Sequence, residues 1–167
     1  ETCPYISGKP PYSSWRLLQI YYLQVLTIRA DLLAAMVSHA RADHPDEACG
    51  VIAGPSGSDR PERHIPMRNA ARSPTFYEFD SGDLLALYRE LDDKDEVPVV
   101  IYHSHTATEA YPSRTDVALA GEPEAHYVLV STRETGADEG AFEFRSFRIA
   151  AGVVTEEPVV VEGGPTQ

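Results

Sequence analysis

The feature that constrains this chain most is a short apolar run that ends in two histidines. Residues 97–102 (Val-Pro-Val-Val-Ile-Tyr) are β-branched and follow a charged turn, so they predict a buried strand. His103 and His105 come next and, on an extended segment, point to the same side. Asp116 follows just inside a predicted helix over residues 112–120, for which Ser113 is the expected N-cap. Two imidazoles and one carboxylate can therefore converge as a catalytic zinc set that leaves a fourth tetrahedral position for water.

The spacing of these residues has a second interpretation. Two histidines on a strand can be two solvated imidazoles, and an aspartate near a helix N-terminus can be favoured by the helix dipole alone. The motif His-x-His is short and occurs in other metal-binding folds. Spacing by itself leaves both interpretations open, and a distant general base would favour the metal site.

Composition restricts the classes of function. A chain of 167 residues with 43% hydrophobic content predicts one folded domain with a proper core. The formal net charge of -12, with no basic stripe, argues against binding to nucleic acid. No apolar run reaches the roughly 20 residues of a membrane span, and no signal peptide is recognised. Two cysteines, Cys3 and Cys49, are too few for a disulfide scaffold, so we expect a reducing cytoplasm.

The organisation along the chain predicts three parts. Residues 1–23 are rich in Pro, Ser and Tyr and are interpreted as an N-terminal extension, natural or artificial. Residues 24–161 are the predicted domain, and residues 162–167 are a C-terminal tail. Aromatic residues of the extension could dock on the domain or on a neighbouring copy, which would make a homo-oligomer.

Hydrophobic periodicity and turn residues predict an α/β (α+β) fold, a mixed β-sheet flanked by helices. The predicted helices begin at Asp31, as a cap, and at Ser81, and we expect the second to bury Leu84, Leu85, Leu87, Tyr88 and Leu91. The predicted strands are 25–29, 47–54, 64–68, 76–79, 97–102 and 125–131, with a final hairpin of 142–149 and 153–161. His64 and His126 are interpreted as structural.

Glu47 is unusual because it stands at the start of an apolar strand, where glutamate is a poor strand former. It is either an edge residue that reaches solvent or a general base at the rim of a cleft. Cys49 lies two residues further on the same face. It could line that cleft or approach the metal, or it is a small buried hydrophobe.

Taken together, these residues resemble the JAMM (MPN+) metalloprotease family, whose pattern is an early Glu, then His-Ser-His, a spacer and Ser-x-x-Asp. The resemblance covers about residues 25–161, including the strand 47–54 and the loop of Asn69, Ser73, Pro74 and Phe76, and implies a JAMM/MPN (cytidine-deaminase-like) fold. It implies that His103, His105 and Asp116 bind Zn²⁺. It also implies that Glu47 is the general base and that Ser113 stabilises the tetrahedral oxyanion.

Within that family the segment 103–116 looks like the bacterial Mec-type branch, although Thr106 stands where many members have proline. The branch implies a peptidase that releases cysteine from the C-terminal Gly-Gly tail of a ubiquitin-like sulfur carrier, in a cysteine biosynthesis route. We expect the tail to add beside a sheet edge near residues 69–79, by β-augmentation.

Three alternatives remain at this point. The first is an isopeptidase that removes ubiquitin-like modifiers from lysine, and the second is a non-catalytic MPN scaffold. The third is a cupin-like metal protein using Glu109 and His126, which would leave Glu47 and Asp116 unexplained.

Overall fold

The computed structural model describes residues 25–133 and 142–163. The predicted extension 1–23, with Cys3, and most of the predicted tail lie outside the described residues. The elements in chain order are β1 Leu26–Arg29, α1 Ala30–Asp43, β2 Cys49–Pro55, β3 Arg63–Met67, α2 Ser81–Lys94, β4 Glu96–His105, α3 Arg114–Leu119, β5 His126–Ser131, β6 Glu143–Ala150, β7 Val153–Glu157 and β8 Val159–Glu162.

A six-stranded mixed sheet forms the centre of the protein, in the order β3-β2-β4-β5-β6-β7. β4 and β5 run parallel, and the other neighbours in this sheet are antiparallel. β1 and β8 form a separate parallel pair. The predicted mixed sheet with helices is confirmed. No helix in the described ranges is both long and apolar enough to span a membrane.

Both faces of the central strand β4 are buried, which explains its continuous apolar sequence. Val100 and Tyr102 pack in the core that includes α1, whereas Ile101 packs in the second core with residues of α2. Because side chains alternate along a strand, His103 and His105 share the face of Ile101. The strand therefore delivers both imidazoles to one end of the second core.

Two predictions about the helices are wrong. Asp31 does not cap α1, because the N-cap position belongs to Arg29, and Asp31 instead pairs with that arginine at 2.8 Å. α2 begins at Ser81, as predicted, and its N-cap is Asp80, whose carboxylate accepts two backbone N–H groups. The second wrong prediction is the burial of Leu85 and Tyr88. Both are exposed, because the buried side of α2 is the narrower stripe that contains Leu87 and Leu91.

Two predictions about the strands also need correction. Residues 76–79 form no strand and contribute only a single bridge between Asn69 and Phe79. The second arm of the final hairpin is divided at Pro158 into β7 and β8. β7 completes the hairpin with β6, whereas β8 leaves it and pairs with β1. Proline has no N–H to donate, which suits a position where one ladder ends.

Candidate metal centre

The end of β4 and the first turn of α3 bring three potential ligand atoms together. Nε2 of His103 lies 3.2 Å from Nε2 of His105. Asp116 Oδ2 lies 3.4 Å from each of these two nitrogens. Both histidines are buried, and Asp116 is largely so. The three groups that the sequence predicted as a set therefore converge on one point.

The dimensions of this triangle fit a tetrahedral zinc ion. Ligand atoms at 2.0–2.2 Å from zinc in tetrahedral geometry are about 3.3–3.6 Å apart. The three edges, of 3.2, 3.4 and 3.4 Å, agree with that spacing. Two nitrogens and one carboxylate oxygen are also a donor set that zinc accepts in catalytic sites. A fourth coordination position would remain for water or substrate.

The tautomer of His105 is set by its surroundings. Its Nδ1 lies 2.9 Å from the carbonyl oxygen of Glu109, which can only accept, so Nδ1 carries the proton. Thr108 Oγ1 lies 3.0 Å from the same nitrogen. Nε2 consequently presents its lone pair to the triangle in the neutral ring. A backbone carbonyl that holds the other ring nitrogen is the usual support of a metal-binding histidine.

His103 is held by packing against an aromatic ring. Tyr77 stacks on its imidazole with ring centroids 4.4 Å apart and an angle of 24° between the planes. Burial lowers the pKa of His103, and this outweighs the opposing effect of Asp116. The neutral ring, which is the form that binds a metal, is therefore favoured near neutral pH.

Asp116 is oriented by the start of α3. Ser113 and Asp116 form a capping box, as the predicted N-cap required, in which each side chain accepts from the other residue's backbone. Burial would raise the pKa of Asp116, but hydrogen bonds with His103 and His105 hold it well below its usual range. For His105, burial lowers the pKa of the imidazole, but hydrogen bonds with Asp116 and with the Glu109 carbonyl raise it by more, so its pKa is raised overall.

Glu47 is not a solvent-reaching edge residue, because it is only 5% exposed. It lies just before β2, and burial raises the pKa of its carboxyl to about 7, with His105 lowering it and Asp116 raising it further. No hydrogen-bond donor contacts this carboxylate among the residues that the structure describes. A buried carboxyl with a pKa near neutrality beside the triangle is suited to accept and return a proton.

Cys49 is a small buried hydrophobe. It is fully buried, and its Sγ lies 3.8 Å from the carbonyl oxygen of Met67. Burial raises the pKa of its thiol to about 12, and it is absent from the described group of potential metal ligands. Thr106, the departure from the family pattern, donates its hydroxyl to the Pro74 carbonyl at 2.8 Å, so it anchors the 69–79 segment.

The family resemblance included the loop of Asn69, but sequence reasoning assigned no role to Asn69 and missed Tyr77, because no spacing rule connects either residue with the strand end that it contacts. Of the histidines interpreted as structural, His64 contacts the Tyr102 hydroxyl. His126 lies between Glu157 and Asp59, at the other end of β5. The cupin-like alternative therefore fails.

Comparison with known proteins shows the family to which the chain is similar. Residues 29–150 match the family described as prokaryotic homologs of the JAB domain. The chain is 70% identical over 145 residues to the CysO-cysteine peptidase of Mycobacterium tuberculosis, covering 87% of this chain and 97% of that protein. It is 32% identical over 132 residues to the desampylase of Haloferax volcanii, covering 75% and 95% of the two chains.

A solved structure shows the same fold. The solution structure of a protein from Desulfitobacterium hafniense is 30% identical and superimposes with a TM-score of 0.69. The match covers 83% of this chain and 93% of that chain.

Proposed function

The chain belongs to the family of prokaryotic homologs of the JAB domain, and on that premise we propose that it is a zinc-dependent peptidase. Its substrate in this proposal is a ubiquitin-like sulfur carrier protein. The enzyme hydrolyses the amide bond that follows the C-terminal Gly-Gly of the carrier and releases cysteine or a short C-terminal extension.

One observation carries the proposal, namely the triangle of three ligand atoms with a buried carboxyl beside it. His103, His105 and Asp116 would hold the ion. A bound zinc ion supplies a Lewis acid and lowers the pKa of a water ligand to about 7. A scaffold protein has no need of a metal triangle together with a proton acceptor, so the arrangement argues against the non-catalytic alternative.

The chain's own residues then divide the proton transfers. Glu47, buried and without a donor on its carboxylate among the described residues, accepts the proton of the attacking water. It passes that proton to the departing amine, so that the same group serves as base and then as acid. The Ser113 oxygen accepts a hydrogen bond from the N–H of Asp116. The hydroxyl proton of Ser113 is therefore free to donate to the developing oxyanion.

The substrate class rests on the named relatives. The protein that is 70% identical over most of both chains is called a CysO-cysteine peptidase, which supports release of cysteine from a carrier. The identity of 32% to a desampylase supports a second candidate, an isopeptidase that removes a ubiquitin-like modifier from lysine. The higher identity favours the first candidate. We expect the tail to lie beside the 69–79 segment, which follows the edge strand β3.

The test uses the zinc-loaded chain and two substrates built on one ubiquitin-like carrier. One carrier ends in Gly-Gly-Cys, and the other is joined through Gly-Gly to a lysine side chain. Mass spectrometry should find free cysteine and a carrier ending in Gly-Gly from the first, at a rate well above cleavage of the second.

The matched variant is Glu47→Gln, which keeps the size of the side chain but cannot accept the proton. It should bind zinc one to one and lose turnover. Full turnover of this variant with metal bound would refute the role of Glu47, and faster cleavage of the lysine-linked substrate would favour the isopeptidase.

A further inference from the structure

The carboxylate of Glu47 receives no hydrogen bond from the described residues, so its position beside the triangle depends on its backbone. Its backbone also lies outside the ladder of β2, which begins at Cys49. A base that must approach a reacting water to within hydrogen-bonding distance cannot depend on a loose backbone, because misplacement by 1 Å can cost about 10²-fold in rate.

Two hydrogen bonds from the segment 69–79 hold the Glu47 backbone. Its N–H donates to the carbonyl of Ser73 at 2.9 Å. Its carbonyl accepts from the side-chain amide of Asn69, also at 2.9 Å. The next residue, Ala48, is bound to Ser104 of β4 by two further hydrogen bonds. The segment 69–79 therefore supplies the hydrogen bonds at the Glu47 backbone itself.

Asn69 organises this segment around its own amide. Nδ2 donates a second hydrogen bond, to the carbonyl of Phe76 at 3.1 Å. Oδ1 accepts from the N–H groups of Ala71 at 3.0 Å and Glu78 at 3.2 Å. The orientation of the amide is settled, because both partners of Oδ1 are donors and both partners of Nδ2 are carbonyls. All four hydrogen-bonding positions are used by a side chain that is only 6% exposed.

The same segment also reaches the metal triangle. It carries Tyr77, whose ring stacks on His103, and its Pro74 carbonyl is bound by Thr106 directly after His105. The segment thus contacts Glu47 on one side and, on the other, His103 and the residue that follows His105. The side chain of Asn69 makes hydrogen bonds both within the segment and to the Glu47 backbone.

We propose that Asn69 is a positioning residue, which acts through Glu47 by fixing the backbone of the base over the metal triangle. This inference rests on the proposed peptidase function. In addition to the metal ligands and the base, the site then requires an amide at position 69 that donates two hydrogen bonds and accepts two.

The decisive variant is Asn69→Asp, which preserves the shape of the side chain and both bonds accepted by Oδ1. It lacks both donors and places an oxygen against the carbonyls of Glu47 and Phe76. Measured with the carrier that ends in Gly-Gly-Cys, kcat should fall about 10²-fold, while KM stays within about threefold and zinc remains bound one to one. Asn69→Ala should show the same division between kcat and KM.

The control is Ser146→Ala, which loses a buried hydrogen bond to Glu157 away from the triangle. It should be less stable and yet keep the wild-type kcat. A kcat for Asn69→Asp within threefold of wild type, or a loss carried by KM, would overturn the proposal. Loss of zinc or of folding in both Asn69 variants would also overturn it, because Asn69 would then be purely structural.

Failure of the proposed function would look different. In that case the wild-type chain would not release cysteine, and the Asn69 variants would be compared on the lysine-linked substrate, which requires the same base.

Discussion

Ser113 and Asp116 hold each other in place by two reciprocal hydrogen bonds. The N–H of Asp116 donates to Ser113 Oγ at 3.2 Å, and the N–H of Ser113 donates to Asp116 Oδ2 at 2.6 Å. Oδ2 is also the atom that faces both imidazoles. The helix cap and the candidate ligand set therefore share one carboxylate oxygen, so the start of α3 sets the geometry of the triangle.

Replacing Ser113 by alanine should affect both stability and rate. Loss of the N-cap should lower the free energy of unfolding by about 1 kcal/mol. Loss of an oxyanion donor should lower kcat by about 10²–10³-fold. Ser113→Thr, which keeps the hydroxyl, is the matched control for steady-state kinetics and denaturant titration. A stability loss without a change in kcat would leave Ser113 as a cap only.

Zinc should stabilise the protein through Asp116. At a free zinc concentration of 100 times the Kd, binding to the folded state adds about 2.7 kcal/mol, and a chelator should reverse the rise in Tm. Asp116→Ala should abolish that zinc-dependent rise. Asp83→Ala, at a partly exposed acidic position in the first turn of α2, should keep it. An unchanged zinc response of Asp116→Ala in differential scanning calorimetry would contradict the proposed ligand set.

The ion-free protein should become less stable as the pH rises, because of Glu47. The folded pKa of about 7 lies above the ordinary value of 4.5, so the folded state binds more protons than the unfolded state between these values. Stability from this group is present below about pH 4.5 and is lost as pH rises through about 7. Glu47→Gln should remove this loss of stability, which is roughly 3 kcal/mol at most in the free energy of unfolding. Urea titrations at pH 5 and pH 8 with a chelator measure it.

Cys49 should be inert in the folded protein. Because its thiol is fully buried and its pKa is raised to about 12, a thiol reagent should label it only as fast as the protein opens. A Cys3→Ala background leaves Cys49 as the single thiol. Cys49→Ala should cost about 1 kcal/mol of stability and keep one bound zinc. Rapid labelling under native conditions, or loss of zinc, would place Cys49 at the metal instead.

A side chain at Gly50 should destabilise the fold. A Cβ at this position would lie 2.5 Å from the hydroxyl of Tyr102, which is fully buried and bonded to His39 and His64. Gly50→Ala should therefore lower the free energy of unfolding by about 1–3 kcal/mol. Gly121→Ala, where the nearest atom is 4.0 Å away, is the control. Equal stability of the two variants would contradict the packing around Tyr102.

Sequence-based prediction succeeded where the signal is local. The apolar run before His103 predicted β4, and Ser113 predicted the start of α3. It failed for Leu85 and Tyr88, because helical periodicity cannot tell how wide the buried stripe of α2 is. It failed for the strand at 76–79, because Asn69 supplies that segment with hydrogen bonds that a ladder would otherwise provide.

The sequence by itself determined which residue types are available for chemistry. It also determined the strand and the helix start that carry them, since the alternation of side chains along a strand and helix capping act over a few neighbouring positions. Only the tertiary structure decided that Glu47 is buried, that Cys49 faces a carbonyl, and that Asn69 donates a hydrogen bond to the Glu47 backbone. These contacts join segments about twenty residues apart. Their energies depend on burial and on hydrogen-bond partners that no local pattern specifies.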